Sequence, residues 1–369
     1  MSTLDERAQA AAAGLRASSE RLRPADGLDR LLGRRRRTVR LAVVGAFALL
    51  AALLVVVVQL RPHEEVVQPA RPVGQQAIVA RYGFGAHLGA SPGGGVPVRV
   101  LADGGGVWVV VARPAEPSTL VPLGPVGQPQ AVIPLVAAPE PRGAELAFGS
   151  LWTIDLLGEL RRFDPATGRP TLEAQVLEHP RFGGSLTAAG DSLWVVDGGG
   201  VVRRIDPATG RVGASVSEPG VTFGPNLAAG EGALWTTSDF GGEATRIDLG
   251  DGGLTRLATK AGGGVAAGEG AVWIGGRDRT LVRLDPASGK VEATVDVGGD
   301  NRAVAVGENG VWVAGADQAG PYLTRVDPRT NRVTGELALD EEPRAVTVAN
   351  GSVWVTTDAA VLRVDPKAF

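Results

Sequence analysis

Residues 304–337 read VAVGENGVWVAGADQAGPYLTRVDPRTNRVTGEL, and this stretch decides the fold. It holds a Gly-rich turn, a tryptophan at position 312 and an Asp-Pro turn at 327–328. In such a turn Asp caps its own backbone two residues on, Pro presets φ, and Gly or Asn takes the left-handed position. The unit predicts four short strands, at 303–306, 311–314, 322–326 and 332–339.

The same unit recurs along most of the chain. Seven tryptophans are separated by 44, 42, 41, 38, 39 and 42 residues, and an Asp-Pro pair follows most of them, whereas Asp248 keeps only the aspartate. A period near 40 residues with four short strands per unit predicts an all-β propeller of four-stranded antiparallel blades. One large flat side chain per blade fills the wedge between sheets, so the tryptophans are predicted to be structural. They are Trp108, Trp152, Trp194, Trp235, Trp273, Trp312 and Trp354.

The register of the repeat predicts how the ring closes. The sequence ends in VLRVDPKAF, after the third strand of the last unit, so that blade lacks an outer strand. Upstream, QAIVARYGF at 76–84 is a strand-like run without a unit of its own. We expect this run to complete the last blade, giving a seven-bladed propeller over 76–369. The first blade is the least regular, because a Pro-rich stretch at 114–134 replaces its Asp-Pro turn.

Composition excludes several classes of protein. The chain of 369 residues has no cysteine, so a disulfide framework and a thiolate metal site are excluded. The formal charge is −3, but the first 40 residues carry ten arginines and five acidic residues, and the remainder has a net charge of −8. A mildly acidic body argues against nucleic-acid binding, which needs a basic surface to neutralise phosphates. We therefore predict no nucleic-acid partner.

The N-terminal region predicts a membrane anchor. Residues 41–58 contain no polar side chain, and the helix expected at 39–60 is long enough to span a ~30 Å hydrocarbon core. Arginines at 34–37 and 40 precede the apolar run at 41–58, which favours a cytoplasmic N-terminus and an extracytoplasmic propeller anchored to the cell membrane. A cleaved signal peptide is the alternative, but it fits poorly because VVVVQLRPHEE offers no small-residue cleavage site.

Two segments flank this predicted single membrane span. Residues 1–38 form the cytoplasmic tail, in which 1–33 is predicted to be helical and Pro24 breaks the helix. The tail is either a solvated juxtamembrane segment or a docking helix for a cytoplasmic regulator. Residues 61–75 carry three prolines and predict an extended spacer. The tail, arginine run and span also resemble actinobacterial membrane proteins, some of which are anti-sigma-type regulators.

The repeat resembles a known superfamily. A Gly turn, a strand with a central Trp and R-[apolar]-D-P-x-[ST]-G resemble the YVTN/NHL-type seven-bladed propellers, a group that includes virginiamycin B lyase. The resemblance covers about 76–369 and implies an architecture, since such folds host binding modules, lyases and scaffolds. For a lyase it would imply a Mg²⁺ site with catalytic histidines at the central mouth. Only His63, His87 and His179 are present, and no pair of them matches, so we do not transfer that activity.

Two sets of charged residues predict a polar mouth at the end of the propeller where ligands usually enter. Aspartates follow the Trp strand, and arginines precede the innermost strand. Together they could bind a cation such as Mg²⁺ or Ca²⁺, a charged small molecule or a peptide; alternatively each Asp caps a loop or pairs with an Arg. The candidates are Arg142, Asp155, Arg181, Asp197, Asp239, Asp278, Arg302, Asp317, Arg344 and Asp358.

Two motifs typical of catalytic sites are absent from the sequence. It contains no P-loop and no His-Glu-x-x-His. We therefore predict no cofactor and no catalytic residues, and expect a binding, sensing or protein-interaction module that acts on an extracytoplasmic protein or small ligand. The variant that adds signalling would work through residues 1–33. The alternative is a lyase- or hydrolase-like propeller acting outside the membrane.

Overall fold

The computed structural model describes residues 71–84, 95–103, 106–113, 117–123, 132–135, 141–177, 184–217, 225–238, 242–250 and 252–369. The predicted tail (1–38), the predicted membrane helix (39–60) and most of the predicted spacer (61–75) lie outside these residues. Among the described residues, no helix is long and apolar enough to cross a membrane. The helices in that part of the chain are the 3-10 turns Gln75–Ala77 and Pro366–Ala368.

The strands form seven sheets, each a blade, and apart from β1 and β2 their order within each blade follows the chain. Strands β1 (Pro72–Val73) and β2 (Ile78–Gly83) precede the first complete blade. Blades 1 to 3 are β3 (Val96–Asp103), β4 (Gly106–Ala112), β5 (Thr119–Leu123) and β6 (Ile133–Pro134); β7 (Pro141–Ala147), β8 (Ser150–Asp155), β9 (Glu159–Phe163) and β10 (Pro170–Gln175); and β11 (Ser185–Ala189), β12 (Ser192–Val196), β13 (Val201–Ile205) and β14 (Val212–Ser217).

Blades 4 to 7 continue this arrangement with the same antiparallel pairing. They are β15 (Pro225–Gly230), β16 (Ala233–Ser238), β17 (Glu243–Asp248) and β18 (Leu254–Ala258); β19 (Val265–Gly268), β20 (Ala271–Gly275), β21 (Thr280–Leu284) and β22 (Val291–Asp296); β23 (Asp300–Gly307), β24 (Gly310–Asp317), β25 (Gly320–Asp327) and β26 (Arg332–Ala338); and β27 (Pro343–Ala349), β28 (Ser352–Thr357) and β29 (Ala360–Val364).

The blades form a closed ring. The first strand of each blade contacts the first strand of the next, and β27 contacts β3, so seven innermost strands surround a central channel. The apolar core lies between neighbouring blades. For example, Trp152 and Ile154 of blade 2 pack against Leu193 and Val195 of blade 3. The structure is therefore the seven-bladed all-β propeller that the period of the tryptophans predicts.

Strand β2 is the outer strand of blade 7. It pairs antiparallel with β29, from Ile78 opposite Val364 to Gly83 opposite Ala360. This is the place expected for the run at 76–84. Strand β2, which precedes blade 1 in the chain, and β29, the last strand, thus share one sheet, and their pairing joins the two ends of the ring.

Strand β1 is an extra outer strand of the propeller, although the sequence analysis assigns its residues to the spacer. It pairs parallel with β26, placing Pro72 opposite Glu336 and making blade 6 five-stranded. The side-chain amide of Gln75 also donates to the carbonyl of Ala338 at 2.7 Å. An outer strand presents unpaired N–H and C=O groups, which a short extended segment can satisfy. The last residues of the predicted spacer therefore belong to the propeller.

The turn between the third and fourth strands is built by its aspartate, as predicted. Oδ1 of Asp164 accepts a hydrogen bond from the N–H of Ala166 at 2.8 Å, and the turns at Asp206, Asp248, Asp327 and Asp365 repeat this bond. Gly289 takes the left-handed position of its turn with φ of 68°. A Cβ there would lie 2.4 Å from Cδ2 of Leu257, so the turn also packs closely on the outer strand of blade 4.

The tryptophans lie in the core between blades, and only Trp108 of the irregular first blade is half-buried. In five blades the indole N–H donates to the carbonyl five residues earlier, as from Trp312 to Gly307 at 3.1 Å. The arginine of the R-[apolar]-D-P motif covers the ring, with the Arg325 guanidinium carbon 5.8 Å from the Trp312 centroid. The same contact joins Arg162, Arg204, Arg283 and Arg363 to the tryptophans of their blades.

Candidate ligand-binding mouth

One face of the ring, here called the mouth, carries the loops between second and third strands. The connections from each blade to the next lie on the same face. Eight of the ten predicted ligand-binding residues are described by the structure. The other two, Arg181 and Asp239, lie outside the described residues. The eight divide into buried aspartates, exposed aspartates and arginines at strand irregularities.

Asp155 of blade 2 is buried and fully engaged. Its Oδ1 accepts hydrogen bonds from the N–H groups of Leu157 and Glu159, at 2.8 and 3.0 Å. Its Oδ2 pairs with the Arg161 guanidinium at 2.8 Å, and 3% of the residue surface is exposed. The carboxylate caps its own loop and neutralises a buried arginine. This is the arrangement expected if each aspartate is structural.

Asp197 repeats the arrangement in blade 3. It accepts from the N–H groups of Gly199 and Val201, both at 2.9 Å, and pairs with Arg203 at 2.6 Å. Removing one partner of a buried ion pair typically costs about 3–5 kcal/mol, because the other charge stays buried without compensation. In both blades the arginine lies six residues after the aspartate, which is a sequence signal for this structural pair.

The aspartates of blades 5, 6 and 7 are exposed. Asp278 accepts from the Thr280 hydroxyl at 2.6 Å, and Asp317 accepts from the N–H of Ala319 at 2.7 Å. Asp358 pairs with Arg344 through a short hydrogen bond. These carboxylates remain open to solvent on one side, so this half of the mouth differs in chemistry from the half formed by blades 2 and 3.

The arginines lie where the innermost strands break register. The pairing of first and second strands shifts between Pro141 and Gly143, and equivalent shifts skip residues 302 and 344. A β-bulge of this kind re-aims a side chain and is common beside binding sites. Arg142, Arg302 and Arg344 are thus set at bulges at the start of innermost strands, and all three are exposed. Blade 1 has the same shift, skipping residue 98, where the residue is valine.

Ion pairs connect the exposed residues across blades 5, 6 and 7. Arg302 pairs with Asp300 at 2.8 Å and with Glu342 of the next blade at 3.6 Å. Arg277 of blade 5 reaches the same Asp300 at 3.5 Å. We call this set of alternating charges the rim. It comprises Arg277, Asp300, Arg302, Glu342, Arg344 and Asp358.

A buried polar pair supports the rim from below, and the sequence analysis missed it. The Tyr322 hydroxyl donates to Oδ1 of Asn301 at 2.7 Å, while the Asn301 amide donates to the carbonyl of Gly276 at 3.1 Å. Burial, reinforced by the nearby Asp317 carboxylate, raises the pKa of Tyr322. The phenol therefore stays protonated and continues to donate. The pair fixes the blade 5 loop to blade 6, directly beneath Arg277 and Asp300.

The metal site that the resemblance implies can be compared with these contacts. Among the described residues, no three His, Cys, Asp or Glu side chains come together in a group that could hold a metal ion. The carboxylates of the rim are matched with arginines instead. His87, His179 and Asp239 lie outside the described residues, so Mg²⁺ or Ca²⁺ at the mouth stays a prediction, and no chemical step is derived through it.

Comparison with solved structures agrees with this architecture. Virginiamycin B lyase from Staphylococcus aureus superposes with a TM-score of 0.61 at 16% identity, covering 77% of this chain and 98% of the lyase. A streptogramin B lyase gives a TM-score of 0.62 at 18% identity, covering 78% and 97%. BamB from Moraxella catarrhalis gives 0.53 at 14% identity, covering 74% and 83%.

These likenesses establish the fold. No protein-family model matches the chain, and no curated protein matches it in sequence. The chain is a seven-bladed propeller of the virginiamycin B lyase-like architecture. Identities below 20% leave the function to be argued from this chain's own residues.

Proposed function

We propose that this protein is a binding module whose rim, on blades 5 to 7, holds an extended segment of a partner protein that carries side chains of both charges. The observation that carries the proposal is the row of alternating charges that crosses three blades on residues that are exposed, apart from the half-buried Asp300. Its three arginines alternate along the chain with three carboxylates, which favours a ligand of mixed charge over a polyanion or a polycation.

The ion pairs within the rim are weak enough for the charged groups of a ligand to replace them. Exposed ion pairs are worth ~0–1 kcal/mol each, so a ligand can replace them at little cost. The side chains of Arg302 and Glu342 are 56% and 63% exposed. Below them, the Asn301–Tyr322 hydrogen bond and the strand ladders hold the backbone in place. A rigid backbone with exchangeable side-chain pairs loses little conformational entropy on binding.

Charge reversal tests the proposal. We expect labelled peptides with alternating Glu and Lys to bind the wild-type protein more tightly than all-Glu or all-Lys peptides. Arg302→Glu with Arg344→Glu should weaken binding of the alternating peptide about tenfold, equivalent to ~1.4 kcal/mol, and shift the preference towards all-Lys. Added salt should weaken binding further, because these charges are exposed.

The matched control lies on the opposite face. Arg329, in the turn between the third and fourth strands of blade 6, is 89% exposed. Arg329→Glu should leave the binding of every peptide unchanged. Equal binding of the three peptides, or equal losses in the control and in the rim variant, would remove the basis of the proposal.

We also propose that the propeller is held outside the cell membrane by the span at 39–60, with the tail at 1–38 inside. The supporting observations are the uncharged run at 41–58 and the arginines that precede it. Protease added to intact cells should digest an epitope at the C-terminus and spare one at the N-terminus. The opposite pattern, or full protection of both, would reject this topology.

Two further roles depend on separate tests. If the tail signals, a peptide of residues 1–38 should retain a cytoplasmic protein; retention of membrane lipids alone would reject that role.

The lyase alternative rests on architecture shared with proteins described as virginiamycin B and streptogramin B lyases. We expect no turnover of virginiamycin B by the purified chain with Mg²⁺. Observed turnover would replace the binding proposal with catalysis.

A further inference from the structure

Two charged residues lie on adjacent innermost strands, away from the rim. Arg99 is on β3 of blade 1 and Glu145 is on β7 of blade 2, and these two strands contact each other beside the central channel. Both side chains are half-buried, so each retains some surface that water can reach.

Their positions are uncharged in every other blade. Glu145 lies opposite the tryptophan of its blade. The residues opposite the other six tryptophans are Leu101, Thr187, Ala228, Ala266, Ala305 and Thr347. Two residues earlier on the innermost strands, the level of Arg99, stand Gly143, Ser185, Asn226, Gly264, Ala303 and Ala345. The repeat thus places uncharged side chains at both levels, and Arg99 and Glu145 are the exceptions.

The charges of Arg99 and Glu145 influence each other, but the two side chains do not form an ion pair. Burial lowers the pKa of Arg99 and raises that of Glu145 to about 7, and each charge partly offsets the effect of burial on the other. Among the described residues, none of the ion pairs within 4.0 Å joins Arg99 to Glu145. A half-buried guanidinium without a contacting anion has lost part of its hydration, and a bound carboxylate would compensate for that loss.

We propose that Arg99 and Glu145 bind a small zwitterion of the α-amino-acid type in the central channel. The Arg99 guanidinium binds the ligand carboxylate, for which its fork of donors is suited. The Glu145 carboxylate accepts hydrogen bonds from the ligand ammonium. This site is independent of the rim and of the function proposed for it.

The ligand itself provides the first test. Purified full-length protein is titrated with glycine, L-alanine, acetate and methylammonium, and binding is followed by calorimetry and ligand-observed NMR. We expect glycine and L-alanine to bind, and acetate and methylammonium to bind at least about tenfold more weakly, since each fills only half of the site. No binding of either amino acid at about 10 mM, or equal binding of acetate, would overturn the proposal.

Variants provide the second test. Arg99→Gln and Glu145→Gln should each weaken amino-acid binding about tenfold or more, while Arg329→Gln on the opposite face should have no effect. Amino-acid binding that is unchanged in both channel variants would overturn the assignment even if the wild-type protein binds. A channel variant that fails to fold leaves the ligand series on the wild-type protein as the deciding result. Peptide binding to Arg302→Glu variants reports on the rim alone, so the two proposals fail separately.

Discussion

At the scale of single residues, the tryptophan of each blade combines three contacts. In most blades the indole packs between sheets, donates to a carbonyl in its own blade, and is covered by the arginine of the R-[apolar]-D-P motif. Arginine over an aromatic face contributes roughly 0.5–2 kcal/mol, depending on how far it is desolvated. The motif therefore links a turn and a core residue within one blade. In blade 1, Pro122 stands opposite Trp108, so this arginine is missing.

Trp273 offers the sharpest test of this packing, because it is fully buried and its indole N–H has no hydrogen-bond partner among the residues that the structure describes. We expect Trp273→Ala to lower the free energy of unfolding by about 3–5 kcal/mol, the usual loss on truncating a buried aromatic side chain. Trp273→Phe retains a flat ring and gives up no hydrogen bond, so it should cost clearly less. Chemical denaturation measures both; equal losses, or none, would contradict a packing role.

Glu145 predicts a specific pH dependence of stability. Burial is the main cause that raises its pKa from 4.5 to about 7 in the folded protein, so the folded chain holds a proton that the unfolded chain releases earlier. The contribution of Glu145 to stability should therefore fall as the pH rises from about 4.5 to about 7, and then level off. In Glu145→Gln this dependence should be missing. Parallel pH profiles of the melting temperature for wild type and variant would contradict the assigned environment.

At the scale of elements, β1 shows that an outer strand can accept a further strand. The contact depends on Gly335 in β26, where an added Cβ would lie 2.8 Å from Val73 Cγ2 and 3.1 Å from Phe369 Cδ1. Phe369 in turn packs edge-on against Trp312, with ring centroids 4.9 Å apart. The N-terminal strand and the last residue of the chain thus meet on the outer edge of blade 6.

Substitution at this glycine tests the docking of β1. Gly335→Val should displace Val73 and Phe369 and lower the free energy of unfolding by about 1–3 kcal/mol, as overpacking does. Gly213 of β14 is the control, because it lies on the outer strand of blade 3, where an added Cβ would meet only the Arg204 carbonyl oxygen at 3.6 Å. Gly213→Val should be close to neutral by thermal unfolding. A neutral Gly335→Val would mean that β1 does not dock there.

The elements also show what the sequence could and could not predict. The number of strands per blade, the number of blades and the turns at Asp164 and Asp206 could be predicted from the sequence. They follow from the period of the repeat and from hydrogen bonds between each aspartate and its own turn. The bulges at Arg142, Arg302 and Arg344 could not be predicted, since a register shift depends on both paired strands. The division of the aspartates into buried and exposed sets depends on an arginine six residues later, a signal that is visible once the structure explains it. Arg99 and Glu145 become neighbours only when two blades pack together.

At the scale of the whole molecule, the rim and the pair formed by Arg99 and Glu145 both depend on a closed ring of blades. The rim spans blades 5 to 7, and the channel pair spans blades 1 and 2, so both need the blades to keep fixed positions. Blade 7 is completed by β2, which is separated from its partner β29 by nearly the whole propeller sequence. Together with the contact between β27 and β3, that antiparallel pairing converts a linear repeat into a closed ring.

A cross-link between β2 and β29 tests this closure most directly. The chain has no cysteine, so an introduced pair of cysteines has no native thiol to compete with it. Gly83 and Ala360 are register partners, so Gly83→Cys with Ala360→Cys brings two thiols within reach of a disulfide. We expect complete oxidation and a raised melting temperature, because the bond closes a very long loop in the unfolded chain. Free thiols that stay unlinked in the folded protein under oxidising conditions would contradict the closed seven-bladed ring.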